Sequence, residues 1–305
     1  MARAGKFEEA VETSVIHGQQ SGPHLLVSAG VHGDEFEPIR TVQVLAQTFE
    51  GNHERLQAGT LTLVPCVNER AFQLGQRCAE DGMDLARTCP GQSDGSVTEQ
   101  AAAELSELIR SADYYIDLHT GGVAYELFPL AGYMLHSDRQ VLDSQRKMAQ
   151  AMNLPLVWGT SSQLEGRSLS VARDAGVPAI YCEHGGGSQV RTNAVNDYLT
   201  GVLRIMSQLG MARESPAAPS VRWNVEDDRP ESGHLQVCNP SPLTGVFEPA
   251  TRTGEIIRRG EALGTVYSLA NTSAAVLSPC DGLVVMMRAF PRVLEGEALA
   301  LVLPV

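Results

Sequence analysis

His32 and Glu35 stand three residues apart in Gly30-Val31-His32-Gly33-Asp34-Glu35, on the turn that leaves an apolar run. A histidine and a carboxylate at that spacing can aim at one centre, and a third donor from another strand would complete a metal site. His119 offers that donor at the end of Tyr114-Tyr115-Ile116-Asp117-Leu118-His119. Two histidines, one carboxylate and an open fourth position form the usual ligand set of a hydrolytic zinc, so the expected cofactor is one Zn2+ per chain. Each fragment is common by itself. Both, however, fall at the C-terminal ends of expected strands, the sheet edge where α/β proteins collect ligands.

The elements that must hold these residues can be read from periodicity. Residues 25–29 form an apolar run expected as a buried strand, and residues 36–49 keep helical spacing through Ile39, Val42, Leu45 and Ala46. Further strands are expected at 60–66, 114–118, 127–130, 155–158 and 178–182, with helices at 98–110, 139–152, 169–174 and 193–209. The stretch 68–95 is polar and rich in Gly and charge, and it is expected as a long functional loop. Alternation of this kind predicts an α/β fold with a mixed central sheet flanked by helices. The catalytic domain is expected over 1–212 and a Pro-, Ala- and Ser-rich linker over 213–220. From 221 to 305 the pattern changes to short β-like runs at 235–238, 245–247, 263–267, 275–277, 282–287 and 298–303, which predict a small all-β barrel or sandwich.

Composition narrows the function. The formal charge of −13 argues against a nucleic-acid partner, although a local cluster of arginines can reverse the field inside a pocket. Six widely spaced cysteines without a Cys-x-x-Cys pair predict reduced thiols and a cytoplasmic setting. Neither a signal peptide nor an apolar stretch of the ~18 residues needed for a membrane span is expected. His17, His24, His53, His136 and His234 stand in no cluster, and Tyr181 and Trp158 are expected to be core aromatics.

Five ordered motifs then carry a resemblance. These are Gly30 to Glu35, Val67-Asn68-Glu69-Arg70-Ala71 with Arg77, Asp84-Leu85-Ala86-Arg87-Thr88-Cys89-Pro90-Gly91, Asp117-Leu118-His119-Thr120-Gly121 and Tyr181-Cys182-Glu183-His184-Gly185-Gly186. In that order they resemble the succinylglutamate desuccinylase and aspartoacylase family, relatives of the zinc carboxypeptidases. The resemblance implies zinc at His32, Glu35 and His119. It also implies Arg77 polarising the scissile carbonyl, Arg87 holding a substrate carboxylate and Glu183 as the catalytic carboxylate. Asn68 and Arg70 are expected to contact substrate, with Arg167 a further candidate for the pocket wall. Ala86 stands where the family usually carries asparagine, and Cys89 where phenylalanine is often seen.

Amide hydrolysis near neutrality needs a metal that lowers the pKa of water to about 7, and a base to take its proton. Asp117, two residues before His119, is expected to support that histidine, whereas His184 is expected to face solvent. The C-terminal segment resembles a lipoyl- or biotinyl-like half barrel, yet no lysine follows the linker to carry such a cofactor. It is therefore expected to cap the site or to serve as an oligomer contact. These features predict a zinc-dependent deacylase acting on a small N-acylated amino acid or related amine, with room left for a homo-oligomer. A carboxypeptidase-like peptidase and a catalytically silent metal- or ligand-binding homologue are the alternatives.

Overall fold

The computed structural model describes residues 11–50, 55–213, 218–235 and 238–305. His53 and half of the expected linker, residues 214–217, lie outside them.

Strands β1 (Ser14–His17), β2 (Gln20–Ser28), β3 (Ala58–Val64), β4 (Tyr114–His119), β5 (Tyr125–Met134), β6 (Leu156–Thr160) and β7 (Ala179–Gly186) form the body of one mixed sheet. Its path runs β1-β3-β2-β4-β7-β5, with β6 beside β5. Strands β3, β2, β4 and β7 are parallel, and β5 runs antiparallel to β7. Helices α1 (Phe36–Phe49), α4 (Arg139–Met152) and α6 (Thr192–Gln208) cover one face, and α3 (Val97–Ser111) and α5 (Ser168–Ala175) cover the other.

Strand alternation sorts the side chains between these two layers. In β4, Ile116 and Leu118 enter the core shared with α1 and α6, while Tyr115 enters the core shared with α3 and α5. Asp117 and His119 must then point toward the α3 and α5 side. The start of α3 is fixed by a capping box, in which the Ser96 hydroxyl accepts from Glu99 N–H and the Glu99 carboxylate accepts from Ser96 N–H.

The stretch 68–95 is not wholly loop. It contains α2 (Glu69–Leu74) and a 3-10 turn, Leu85–Arg87. Helix α2 buries only Ala71, so no apolar period betrays it. Its signals are the caps: Asn68 Oδ1 accepts from Ala71 N–H at 3.1 Å, and Gly75 ends the helix with φ 63°.

The C-terminal strands are β8 (Trp223–Glu226), β9 (Gly245–Pro249), β10 (Ile256–Ile257), β11 (Ala262–Tyr267), β12 (Ser273–Leu277), β13 (Gly282–Arg288), β14 (Arg292–Val293) and β15 (Ala300–Leu303). Four of them form an antiparallel sheet in the order β12-β11-β9-β14. The others cross the boundary expected at residue 221. Strand β13 pairs antiparallel with β5, and β8 pairs parallel with β6, so the central sheet runs on into this segment. The reason lies in the sequence of β13: all seven residues are buried, and an apolar strand without a polar face needs cover on both sides. Leu283, Val285 and Met286 pack with Leu127, Leu130 and Leu156, while Val284 and Met287 join the small β core. The strand expected at 235–238 does not form at its described ends, Leu235 and Cys238.

Candidate active site

The register of β4 against β7 builds the site. Asp117 is paired with Tyr181 and His119 with Glu183, and paired residues of neighbouring parallel strands share a face. Ser28 of β2 is paired with Asp117 on the other flank. A strip of polar side chains therefore lines the α3 and α5 side of the sheet at its C-terminal edge.

The turn from β2 into α1 brings His32 and Glu35 to this strip. Gly33 allows it: a Cβ there would lie 2.0 Å from the Ala71 carbonyl carbon, so the turn rests directly on α2. His32 Nδ1 is 2.6 Å from Glu35 Oε1, and His119 Nδ1 is 3.0 Å from Glu35 Oε2. One ligand atom from each of the three residues lies within 4.8 Å of the others. The expected ligands converge.

Both imidazoles are oriented from behind. His32 Nε2 is 3.1 Å from Asp84 Oδ1, and His119 Nε2 is 3.1 Å from Asp117 Oδ2. Asp117 also accepts from Ser28 Oγ at 3.0 Å and from Ser168 Oγ. If each Nε2–H donates to its aspartate, both Nδ1 lone pairs face the Glu35 carboxylate. Lone pair against carboxylate is repulsive unless a cation lies between them, and two imidazoles against three carboxylates leave the site short of positive charge. This donor set fits a divalent metal ion, with aspartates fixing the tautomers as in carboxylate–histidine–metal units. The titration tendencies reflect the same excess of negative charge. Burial alone would raise the Glu35 carboxyl, but His32 and His119 hold it far below its usual range. Burial alone would depress His119, but Asp117 and Glu35 raise it well above the ordinary imidazole value.

Glu183 is 9% exposed, and its Oε2 has no hydrogen-bond partner among the described residues. Burial, with the like charge of Glu35, pushes its carboxyl up to about 8 against the pull of His119 and Arg77. Arg77 donates to Asp84 Oδ2 from Nη2 at 3.0 Å and from Nε at 3.3 Å, so Asp84 bridges this arginine and His32. Sequence reasoning missed that role. The residue was visible in its motif, but no local pattern shows that a loop aspartate reaches a histidine so distant in the chain.

Arg77, Arg87 and Arg167 all line the cavity in front of these residues, as does Ala86. Burial and then the charge of Arg87 lower Arg167 to about 10, and its Nη2 is buried without a partner among the described residues. Asn68 and Arg70 do not line the cavity. Asn68 Oδ1 caps α2 while its buried Nδ2 has no hydrogen-bond partner among the described residues, and Arg70 pairs with Glu80 at the surface.

Two aromatic residues, His184 and Tyr181, stand elsewhere than expected. His184 does not face solvent: β7 extends through Gly186, so alternation turns this residue to the opposite layer. There Nε2 is 3.1 Å from Asp197 Oδ2 and the ring packs edge-on against Tyr198. Tyr181 is not only a core aromatic, since it lines the cavity with Tyr125 and Leu127. Gly233, Leu235 and Met286 of the C-terminal segment also line it. No motif announces them, because they arrive through long-range packing.

Comparison with known proteins follows the same geometry. Residues 21–209 match the succinylglutamate desuccinylase/aspartoacylase catalytic domain. The chain is 26% identical over 291 residues to the N-alpha-acetyl-L-2,4-diaminobutyric acid deacetylase of Halomonas elongata, covering 92% of this chain and 82% of that one. It is 25% identical over 242 residues to the succinylglutamate desuccinylase of Pseudomonas paraeruginosa, covering 75% of this chain and 66% of that one. Among solved structures, the succinylglutamate desuccinylase/aspartoacylase of Rhodobacter sphaeroides superposes with a TM-score of 0.85 at 26% identity, covering 96% of this chain and 87% of that one. The product-bound ectoine utilization protein EutE (DoeB) of Ruegeria pomeroyi shares the fold, with a TM-score of 0.85 at 24% identity, covering 96% and 88% of the two chains. The domain match spans most of the chain and contains His32, Glu35, His119 and Glu183, and on that ground the protein belongs to the succinylglutamate desuccinylase/aspartoacylase family of acyl-amino-acid hydrolases.

Proposed function

We propose that the protein is a zinc-dependent deacylase that hydrolyses the amide bond of a small N-acylated amino acid, releasing a carboxylic acid and a free amine. The observation that carries this reading is the convergence of His32, Glu35 and His119 beside Glu183, the register partner of His119. The deacetylase and desuccinylase names of its relatives support the same reaction class. Zinc, when bound by the three ligands, supplies Lewis acidity for the attacking water and the scissile carbonyl.

The chain supplies the rest. Glu183, with a free and buried carboxylate oxygen, takes the proton of the attacking water and returns it to the departing amine. A cation bound opposite it would pull its pKa back down from about 8, keeping it ionised near neutrality. Arg77, held by Asp84, stabilises the negative charge that develops on the carbonyl oxygen without having to reorganise. Arg87 and Arg167 border the same cavity and provide planar donor forks for a substrate carboxylate. Asn68 and Arg70 serve the frame of α2 in this reading. The six cysteines, all free thiols, fit the cytoplasmic setting expected from their spacing.

A hydrolysis screen over N-acetyl, N-succinyl and longer N-acyl amino acids, with metal analysis of the same sample, tests the proposal. Turnover of at least one class by a zinc-loaded sample is expected. In Glu183→Gln the rate should fall by ~10²–10⁴ while the metal stays bound. Turnover of peptides but not of acyl amino acids would instead favour a carboxypeptidase-like activity. A fully active Glu183→Gln would remove this residue from the mechanism.

A further inference from the structure

Tyr125 occupies a junction that the mechanism above does not use. Its N–H donates to Gly121 O at 2.9 Å, on the turn that follows His119. Its carbonyl accepts from Gly187 N–H at 3.0 Å, on the loop that follows Glu183. The backbone of one residue thus ties the turn after a metal ligand to the loop after the base. The close approach depends on Gly186, whose φ is 115° and where a Cβ would meet Tyr125 O at 2.3 Å.

Tyr125 lines the cavity together with Met286, and Arg288, two residues further along β13, is its cross-strand partner. Arg288 is only 8% exposed. Its Nε donates to Phe290 O at 2.9 Å, and its Nη2 donates to Arg292 O and Glu297 Oε2, each at 3.1 Å. The remaining arm, Nη1, reaches the Tyr125 hydroxyl oxygen at 3.4 Å, and the guanidinium carbon lies 5.3 Å from the ring centroid. Four contacts and a ring leave the guanidinium little freedom.

The direction of that contact matters. A guanidinium only donates, so the tyrosine oxygen must accept, and its own proton is left for another acceptor. Among the described residues none takes it. Burial raises the Tyr125 phenol above its usual range, against the pull of Arg288 and of Arg77, so the group stays protonated near neutrality.

We infer that Tyr125 is a further substrate-contacting residue, its hydroxyl donating to a carbonyl or carboxylate oxygen of the bound acyl amino acid. Arg288, from the C-terminal strand, is the positioning residue that fixes the ring and aims the proton. This inference rests on the deacylase reading. It gives the C-terminal segment a part in substrate recognition through two paired strands.

Steady-state kinetics on the best N-acyl amino acid of the screen test it. Tyr125→Phe keeps the ring and removes the donor, so KM should rise about tenfold, the equivalent of ~1.4 kcal/mol, with kcat and metal content little changed. Arg288→Met should raise KM comparably, and the double variant should be no worse than Tyr125→Phe alone, because the arginine acts through the hydroxyl. Arg288→Lys, which keeps the charge, should recover part of the loss. If Arg288→Met fails to fold, Tyr125→Phe decides the matter by itself. Unchanged KM in Tyr125→Phe with an active wild type, or additive losses in the double variant, would overturn this inference and leave the deacylase reading standing. A wild type inactive on every acyl amino acid would overturn both.

Discussion

At the scale of single residues, the site is governed by an imbalance of charge. Glu35, Asp84 and Asp117 surround two imidazoles, and Glu183 adds a fourth carboxyl a short distance away. Asp84→Asn and Asp117→Asn should each weaken metal binding by ~10–100-fold, measured by competition with a chelator, since each loosens one histidine. Asp84→Asn should also lower kcat, because Arg77 loses its anchor. Glu183 yields a pH prediction for metal-free protein. Its folded pKa of about 8 lies above the ordinary glutamate value of 4.5, so the folded state binds the proton more tightly than the unfolded chain does. The stability it contributes is present below about pH 4.5 and is lost as pH rises toward about 8. Over that window the melting temperature of apo wild type should fall relative to apo Glu183→Gln; parallel curves would mean that Glu183 is not held protonated. Ala86, on the cavity wall, supports one more test. Restoring asparagine should lower KM for substrates with a free α-carboxylate, and an unmoved KM would show that the pocket does not use this position. The cluster of His32, Glu35 and His119, with Glu183 beside it, was legible because short motifs carry these residues, and the place of Asp117 because it sits two residues from His119 on one strand. The role of Asp84 was not, since the histidine it meets lies 52 residues away in the chain.

At the scale of elements, alternation and register do most of the positioning. One face of β4 and β7 carries Asp117, His119, Tyr181 and Glu183, and the other carries Leu118, Cys182 and His184 toward α6. Reading β7 to its true end at Gly186 was the step that sequence periodicity could not supply, because its last residues are glycines without a hydrophobic pattern. Helices with a clear apolar stripe were legible to the residue, as α1 and α4 show. The two-residue strands β10 and β14 were not, because they exist only through their partners, β13 and β9. Helix α2 hid behind its polar surface, although Asn68 and Gly75 mark both of its ends. This helix matters because the ligand turn rests on it. Gly33→Ala would force a methyl group against the Ala71 carbonyl, so we expect a melting temperature lower by several degrees together with weaker metal binding. A variant with wild-type values of both would show that the turn can shift without disturbing His32.

For the molecule as a whole, the central sheet reaches from parallel strands β2, which leads into the turn with His32 and Glu35, and β4, which carries His119, into the C-terminal segment. The cavity is correspondingly lined from both ends of the chain, with His32 near the start and Met286 near the end. The overall charge of −13 coexists with three arginines, Arg77, Arg87 and Arg167, on the wall of that cavity, alongside the carboxylates of Glu35, Asp117 and Glu183. A change in texture after the linker was legible, but the strand pairing of β13 with β5 was not, since sequence shows which runs are apolar and not which edges they meet. The metal would join the β2–α1 turn to β4, and an ion that binds only the folded state stabilises it by mass action. The measurement that bears most directly on the account is a crystal structure of the zinc-loaded protein with anomalous data collected at the zinc edge. The account predicts one strong peak per chain, about 2.0–2.2 Å from His32 Nδ1, His119 Nδ1 and a Glu35 carboxylate oxygen, with Glu183 facing the remaining position. A peak bound elsewhere, or one that leaves His119 uncoordinated, would contradict it.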